Sequence, residues 1–208
     1  MPDPAPDFCQ LIPGLWTWQV YDPAVKADLS STGLATTAAG TYIIDPVLLN
    51  EEDLAQLGAV AGIVLTNANH ERAAAQFFNR FSLPIFGRPE SLAALKGKAT
   101  IETVEGKKIG GELEVILIEG AAPGEIALYH PGNGGTLIVG DALINFGPYG
   151  FAFLPGKYCR NEKEMRRSLL QLLLRPTERL LFAHGTPILS GGTARLRRLL
   201  DSDLQYRP

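Results

Sequence analysis

The 208-residue sequence predicts an α/β fold in which two packed β-sheets carry helices on their outer faces. Three observations support this. The first third is rich in strand-type runs, the middle alternates strand and helix, and a second group of strand-type runs follows Gly106 and is closed by helices. With 46% hydrophobic and 20% charged residues, the chain is of ordinary globular composition and long enough to bury one large core. One domain is expected over residues 11–208, after a disordered lead over residues 1–10.

The lead, Met1-Pro2-Asp3-Pro4-Ala5-Pro6-Asp7, has no basic region and no apolar run behind it, so it has the pattern of neither a signal peptide nor a targeting helix. Leu15–Tyr21, Gly33–Ala38 and Thr41–Ile44 read as antiparallel strands. Asn50 can cap a short helix that places Leu54 and Leu57 on one face. Ile63–Leu65 is a strand, Arg72–Phe81 a helix and Pro84–Phe86 a strand. Pro89 opens a helix through Leu95, and Thr100–Val104 returns to strand. Leu113–Ile118, Glu125–Tyr129 and Thr136–Val139 form the second group, with a turn at Pro131-Gly132-Asn133-Gly134-Gly135. Asn161 and Glu164 make a capping box, and Met165, Leu169, Leu172 and Leu173 follow at one-face spacing, so 161–174 is a helix. Arg179–Phe182 is the last strand, His184-Gly185 a loop and Thr193–Leu200 a closing helix.

Composition narrows the function classes. No stretch approaches the roughly 18 apolar residues that span a bilayer. Cys9 and Cys159 are too few for a disulfide scaffold and have no C-x-x-C partner, so a reducing cytoplasm is the expected location. The net charge of −3 points to no polyanion. Residues 157–208 hold eleven Lys/Arg against five Asp/Glu, but these lie on patterned helices and read as solvated faces, so nucleic acid is not an expected partner. P-loop, G-x-G-x-x-G and G-x-S-x-G signatures are absent.

The segment Leu65-Thr66-Asn67-Ala68-Asn69-His70-Glu71-Arg72 has the frame of a metal-binding signature with most ligands replaced. It resembles the T-H-x-H-x-D-H corner of the metallo-β-lactamase superfamily, with Asn, Asn, Glu and Arg where that motif has His, His, Asp and His. Later fragments follow in the family's order, from about Leu11 to Leu204. Ile43-Ile44-Asp45-Pro46 resembles its early I-D-P. Gly120-Ala121-Ala122-Pro123-Gly124 resembles G-H-T-P-G, with Ala121 in place of the third His. Val139-Gly140-Asp141-Ala142-Leu143 resembles T-G-D-x-L, and Phe182-Ala183-His184-Gly185 resembles P-G-H-G. The resemblance implies a four-layer αββα sandwich with its site along one edge of the sheets.

The family holds two metal ions, with three His on the first, an Asp and two His on the second, and a bridging Asp. By that resemblance the first set here is Asn67, Asn69 and Ala121, which zinc would not accept, because a neutral amide is a poor ligand. The second is Glu71, Arg72, Asp141 and His184. A guanidinium offers no lone pair, so Arg72 is expected to pair with Asp141 or Glu71 and to replace the metal charge. No metal cofactor is therefore expected; the alternative is a single zinc, iron or manganese on Glu71, Asp141 and His184. His70 is read as a helix cap or solvent-facing ring, the alternative being that it completes that single-metal set.

Two functions follow. The first is a metal-free protein or pseudoenzyme that binds a small molecule in the family's groove, lined by Asn67, Asn69, His70, Phe146, Tyr149 and Phe151. The second is a hydrolase of an ester, thioester or lactone, with Asp141, His184, Arg72 and Glu71 as its catalytic set. The aromatic, Gly/Pro-rich run 146–158 is either a lid over that groove or a surface packed against the protein or a second copy in a homodimer.

Overall fold

In a computed structural model, which describes residues 7–95, 98–146 and 150–205, two β-sheets stack face to face and helices cover both outer faces. The first sheet begins with β1 (Asp7–Ile12), β2 (Leu15–Asp22), β3 (Ala27–Thr36) and β4 (Gly40–Ile44), each antiparallel to the one before it. It continues in parallel through β5 (Val60–Val64), β6 (Ile85–Gly87) and β7 (Thr100–Glu102). The crossovers carry α1 (Glu51–Gln56), α2 (Ala74–Phe81) and α3 (Pro89–Leu92). The second sheet contains β8 (Lys108–Ile109), β9 (Leu113–Leu117), β10 (Ile126–His130) and β11 (Thr136–Val139), and β14 (Arg179–Phe182) adds to β11 in parallel. A separate hairpin, β12 (Leu143–Phe146) and β13 (Gly150–Phe153), precedes α4 (Glu162–Leu169); α5 (Gly192–Gln205) closes the fold.

Period-two alternation sorts the side chains into layers. Tyr42, Ile44, Val64, Leu128, Ile138 and Leu181 belong to one buried cluster between the sheets. Ile43, Ile63 and Leu65 face the opposite way, against Leu54, Ala74, Phe77 and Leu92 from the helices of the first face. Ala127, Leu137 and Val139 meet Met165, Leu169, Leu196 and Leu200 on the other. The result is the expected αββα arrangement, held by three apolar seams.

Several expected boundaries move. Residues 7–10, assigned to a disordered lead, lie in β1, paired with β2; residues 1–6 of that lead lie outside the described residues. The strand expected from Gly33 begins at Ala27 and pairs along all of β2, because Ser31 and Thr32 are buried despite their polarity. The helix expected from Arg72 starts at Ala74, since Arg72 is held at φ +39° in the left-handed region. Helix α3 is shorter than 89–95, and 161–174 divides into α4 and a 3₁₀ segment, Leu170–Leu174. Asn161 does cap α4, accepting the Glu164 backbone N–H, and Asn50 caps α1 through the Asp53 N–H. Among the described residues no helix is long and apolar enough to cross a membrane.

Candidate metal centre

The site forms where the C-terminal ends of β4, β5, β11 and β14 come together, so Asp45, the octet, Asp141 and His184 each follow a strand. β4 delivers Asp45, β5 delivers residues 65–72, β11 delivers Asp141 and β14 delivers His184. The parallel pairing of β4 with β5, and of β11 with β14, is what brings those ends to one edge.

Asp45, at φ +51°, turns its carboxylate under the octet. Its Oδ1 accepts the Thr66 N–H at 2.8 Å, and its Oδ2 accepts the Thr66 hydroxyl at 2.6 Å and faces His70 Nδ1 at 3.0 Å. The other nitrogen of His70, Nε2, lies 3.1 Å from Asp141 Oδ1. His184 Nε2 lies 3.2 Å from that same oxygen, while its Nδ1 donates to the Asp28 carbonyl at 2.9 Å. Asn69 donates to the remaining oxygen, Asp141 Oδ2, at 3.4 Å. Gly185, at φ +96°, lets the chain leave His184 against the Asn145 carbonyl, which any Cβ would overlap.

The electrostatics follow from this chain of contacts. Burial opposes the charge on His70, but Asp45 and Asp141 outweigh it and raise the ring's pKa to about 9. Burial likewise opposes charge on the two carboxylates; His70 nevertheless holds Asp45 below its usual range, and His70 with His184 holds Asp141 well below it. A further carboxyl lies beneath. Glu125 is fully buried, accepting the Asn67 Nδ2 donor at 2.8 Å and the Ala142 N–H at 2.9 Å, and burial followed by the Asp141 charge pushes it up to about 8.

Two features differ from sequence expectation. Arg72 makes no hydrogen bond to Asp141 or Glu71. Its guanidinium donates to the backbone carbonyls of Ser30 (2.7 Å), Asp45 (3.1 Å) and Ala183 (3.2 Å), three acceptors on separate segments that a planar fork can satisfy together. His70 is neither a cap nor solvent-facing; it is 2% exposed and lies at the centre of the cluster. His70 is held there by Asp45 on one side and Asp141 on the other.

The other expected residues scatter. Asn67 is buried, and its Oδ1 accepts the Asn69 N–H at 2.9 Å, so it shapes the loop. Asn69 is exposed at the site's rim. The run 146–158, expected to be a loop, begins at the last residue of β12 and contains β13. Phe146 sits 6.4 Å from the His184 ring, Phe151 packs against Phe182 at 5.6 Å, and Tyr149 lies outside the described residues. Sequence reading missed Asp45 and Glu125 as site residues. The I-D-P fragment was a signal for the first; nothing local marked the second.

A family model described as the metallo-beta-lactamase superfamily matches residues 10–203. The chain belongs to the metallo-β-lactamase superfamily. Solved metallo-β-lactamases share its fold. DIM-1 metallo-β-lactamase is 14% identical with a TM-score of 0.71 over 96% of this chain and 99% of its own. A metallo-β-lactamase from Pontibacter korlensis is 19% identical, TM-score 0.68, over 94% and 98%. A metallo-β-lactamase family protein from Thermus thermophilus is 21% identical, TM-score 0.64, over 94% and 81%. No curated protein matches the chain.

The superfamily usually binds zinc, so the donor set decides how much of that centre the chain could hold. A first metal on Asn67, Asn69 and Ala121 does not fit, since Asn67 is committed to Glu125 and the Asn69 backbone, and Ala121 has no donor. A single ion does fit elsewhere. Donor atoms of His70, Asp141 and His184 lie within 4.8 Å of one another, and Glu71, expected in this set, is not among them. His70 Nε2 is buried without a hydrogen-bond partner among the described residues, although Asp141 Oδ1 is only 3.1 Å away, so the contact is short but off the hydrogen-bond line. Two donors aimed at a shared ion have that relation. Arg72, turned onto carbonyls, leaves the carboxylate of Asp141 to it.

Proposed function

We propose that this chain is a single-metal hydrolase of the superfamily, with His70, Asp141 and His184 as metal ligands and an ester, thioester or lactone as substrate class. The observation that supports it best is the convergence of both imidazole Nε2 atoms on one carboxylate oxygen, each Nδ1 already having an acceptor of its own. Three protein donors with an open position are the pattern of catalytic zinc, and two imidazoles with one carboxylate also suit iron. A divalent ion there would supply Lewis acidity and activate water near neutral pH.

The chain's own residues have separable tasks in this reading. Asp45 fixes the tautomer and orientation of His70, and the Asp28 carbonyl does the same for His184. Asn69 steadies Asp141 Oδ2. Arg72 ties the segments that carry Asp45 and His184 to the octet, which keeps the ligands at fixed separation. Phe146, beside His184, presents an apolar wall to the acyl part of a substrate. The proposed compartment is the cytoplasm.

One observation favours a second reading, the metal-free ligand-binding protein. A ring with its pKa raised to about 9 is an imidazolium at neutral pH, and together with the Arg72 guanidinium it balances Asp45 and Asp141 without an ion. Turnover of a panel of esters, thioesters and lactones separates the two. Activity that chelation abolishes, that zinc or manganese restores and that Asp141→Ala lacks supports the hydrolase. Absence of turnover on the whole panel with saturating metal leaves the metal-free reading.

A further inference from the structure

Glu125 stands just before β10, yet its carboxyl joins two of the three loops that carry the candidate ligands, those of His70 and Asp141. Its Oε2 accepts from Asn67 Nδ2, three residues ahead of His70, and its Oε1 accepts from the N–H of Ala142, next to Asp141. The connection continues on the far side: Asn67 Oδ1 accepts the Asn69 N–H, and Asn69 Nδ2 donates to Asp141 Oδ2. These contacts close a circuit, Glu125 to Asn67 to Asn69 to Asp141 to Ala142 and back. Two backbone bonds flank it, Ala68 N–H to the Pro123 carbonyl at 2.9 Å and Ile126 N–H to the Thr66 carbonyl at 2.7 Å. Room for it depends on Gly140, where a Cβ would stand 2.6 Å from Thr66 Oγ1 and 2.7 Å from Glu125 Oε1.

A buried carboxyl whose hydrogen bonds both come from neutral donors is expensive, and an apolar residue would serve packing better. What an apolar residue cannot do is accept at two ends at once. Glutamine cannot do so either, because its amide would meet the Asn67 donor with a donor, and turning Asn67 over would break its bond to the Asn69 N–H. We propose that Glu125 is a positioning residue that sets the distance between His70 and Asp141, and so the affinity of the metal centre on which this inference rests.

The test is a donor–acceptor exchange in the full chain. Glu125→Gln and Asn67→Asp each break the circuit, whereas the double variant swaps donor and acceptor and closes it again. Cobalt and zinc affinity, measured above pH 8, where Glu125 is the carboxylate, by competition with a chromophoric chelator, is expected to fall about 10–100-fold in each single variant and to recover most of that loss in the double variant. Unchanged affinity in Glu125→Gln, or a double variant no better than the weaker single one, overturns the proposal and leaves the metal reading standing. If the wild-type chain binds neither metal, the metal reading fails by itself. The positioning role is then decided in the metal-free protein by the imidazole nitrogen NMR shifts of His70 and His184. Shifts displaced in the single variants and restored in the double one support it; shifts indifferent to all three overturn it.

Discussion

At residue 72 a long cation is taken up by backbone carbonyls rather than by carboxylates. The fork geometry explains why arginine is there: it reaches Ser30, Asp45 and Ala183 at once, which the compact ammonium of lysine cannot. Arg72→Lys is therefore expected to lower stability by about 2–3 kcal/mol, the scale of hydrogen bonds to a charged group, read from the urea unfolding midpoint. Glu125 gives a pH prediction with a definite sign. Its folded-state pKa is raised to about 8 from the ordinary 4.5, so between those values the folded chain binds more protons than the unfolded one. Its contribution to stability therefore declines as pH rises from 4.5 to 8. Thermal midpoints across that range should shift progressively in favour of Glu125→Gln relative to wild type, on top of any constant offset; a pH-independent difference would contradict the assignment.

The elements were legible wherever one residue's environment depends on its neighbours. β11 and β14 were read to the residue because each is a short apolar run bounded by turns, and both helix caps were read because an Asn side chain reaches only its own first turn. Elements stabilised from afar were misplaced. The start of β3 is polar and is held by β2, and α2 begins late because Arg72 is turned into the left-handed region by partners as distant as Ala183. Asn161→Ala should cost about 1 kcal/mol, the usual value of an N-cap, and leave metal affinity untouched, a contrast that thermal unfolding and chelator competition can establish together. Gly140→Ala belongs to the loop between β11 and β12. Its added methyl would crowd both Thr66 and Glu125, so a loss of about 1–3 kcal/mol is expected, typical of overpacking, accompanied this time by weakened metal binding.

Across the whole molecule, the sandwich was legible because period-two strands and fragment order extend along the chain, whereas the site was only partly so. Asp141 and His184 stood in recognisable fragments, and they meet at 3.2 Å. Asp45 was visible as a fragment but not as the partner of His70, and Glu125 was invisible, because what unites them is the meeting of strand ends from both sheets. The sequence also suggested that Arg72 excludes a metal; the fold turns it onto carbonyls and brings in His70, from a position that carries no ligand in the family's motif. The central claim is thus that one metal ion binds through His70, Asp141 and His184. Elemental analysis of protein purified without chelator, beside His70→Ala and a control at His130, which ends β10 and faces Glu112 rather than the site (His130→Ala), tests it most directly. The account predicts one zinc, iron or manganese per chain in wild type and in the control, and loss of it in His70→Ala; a metal-free wild type, or full occupancy in His70→Ala, would contradict it.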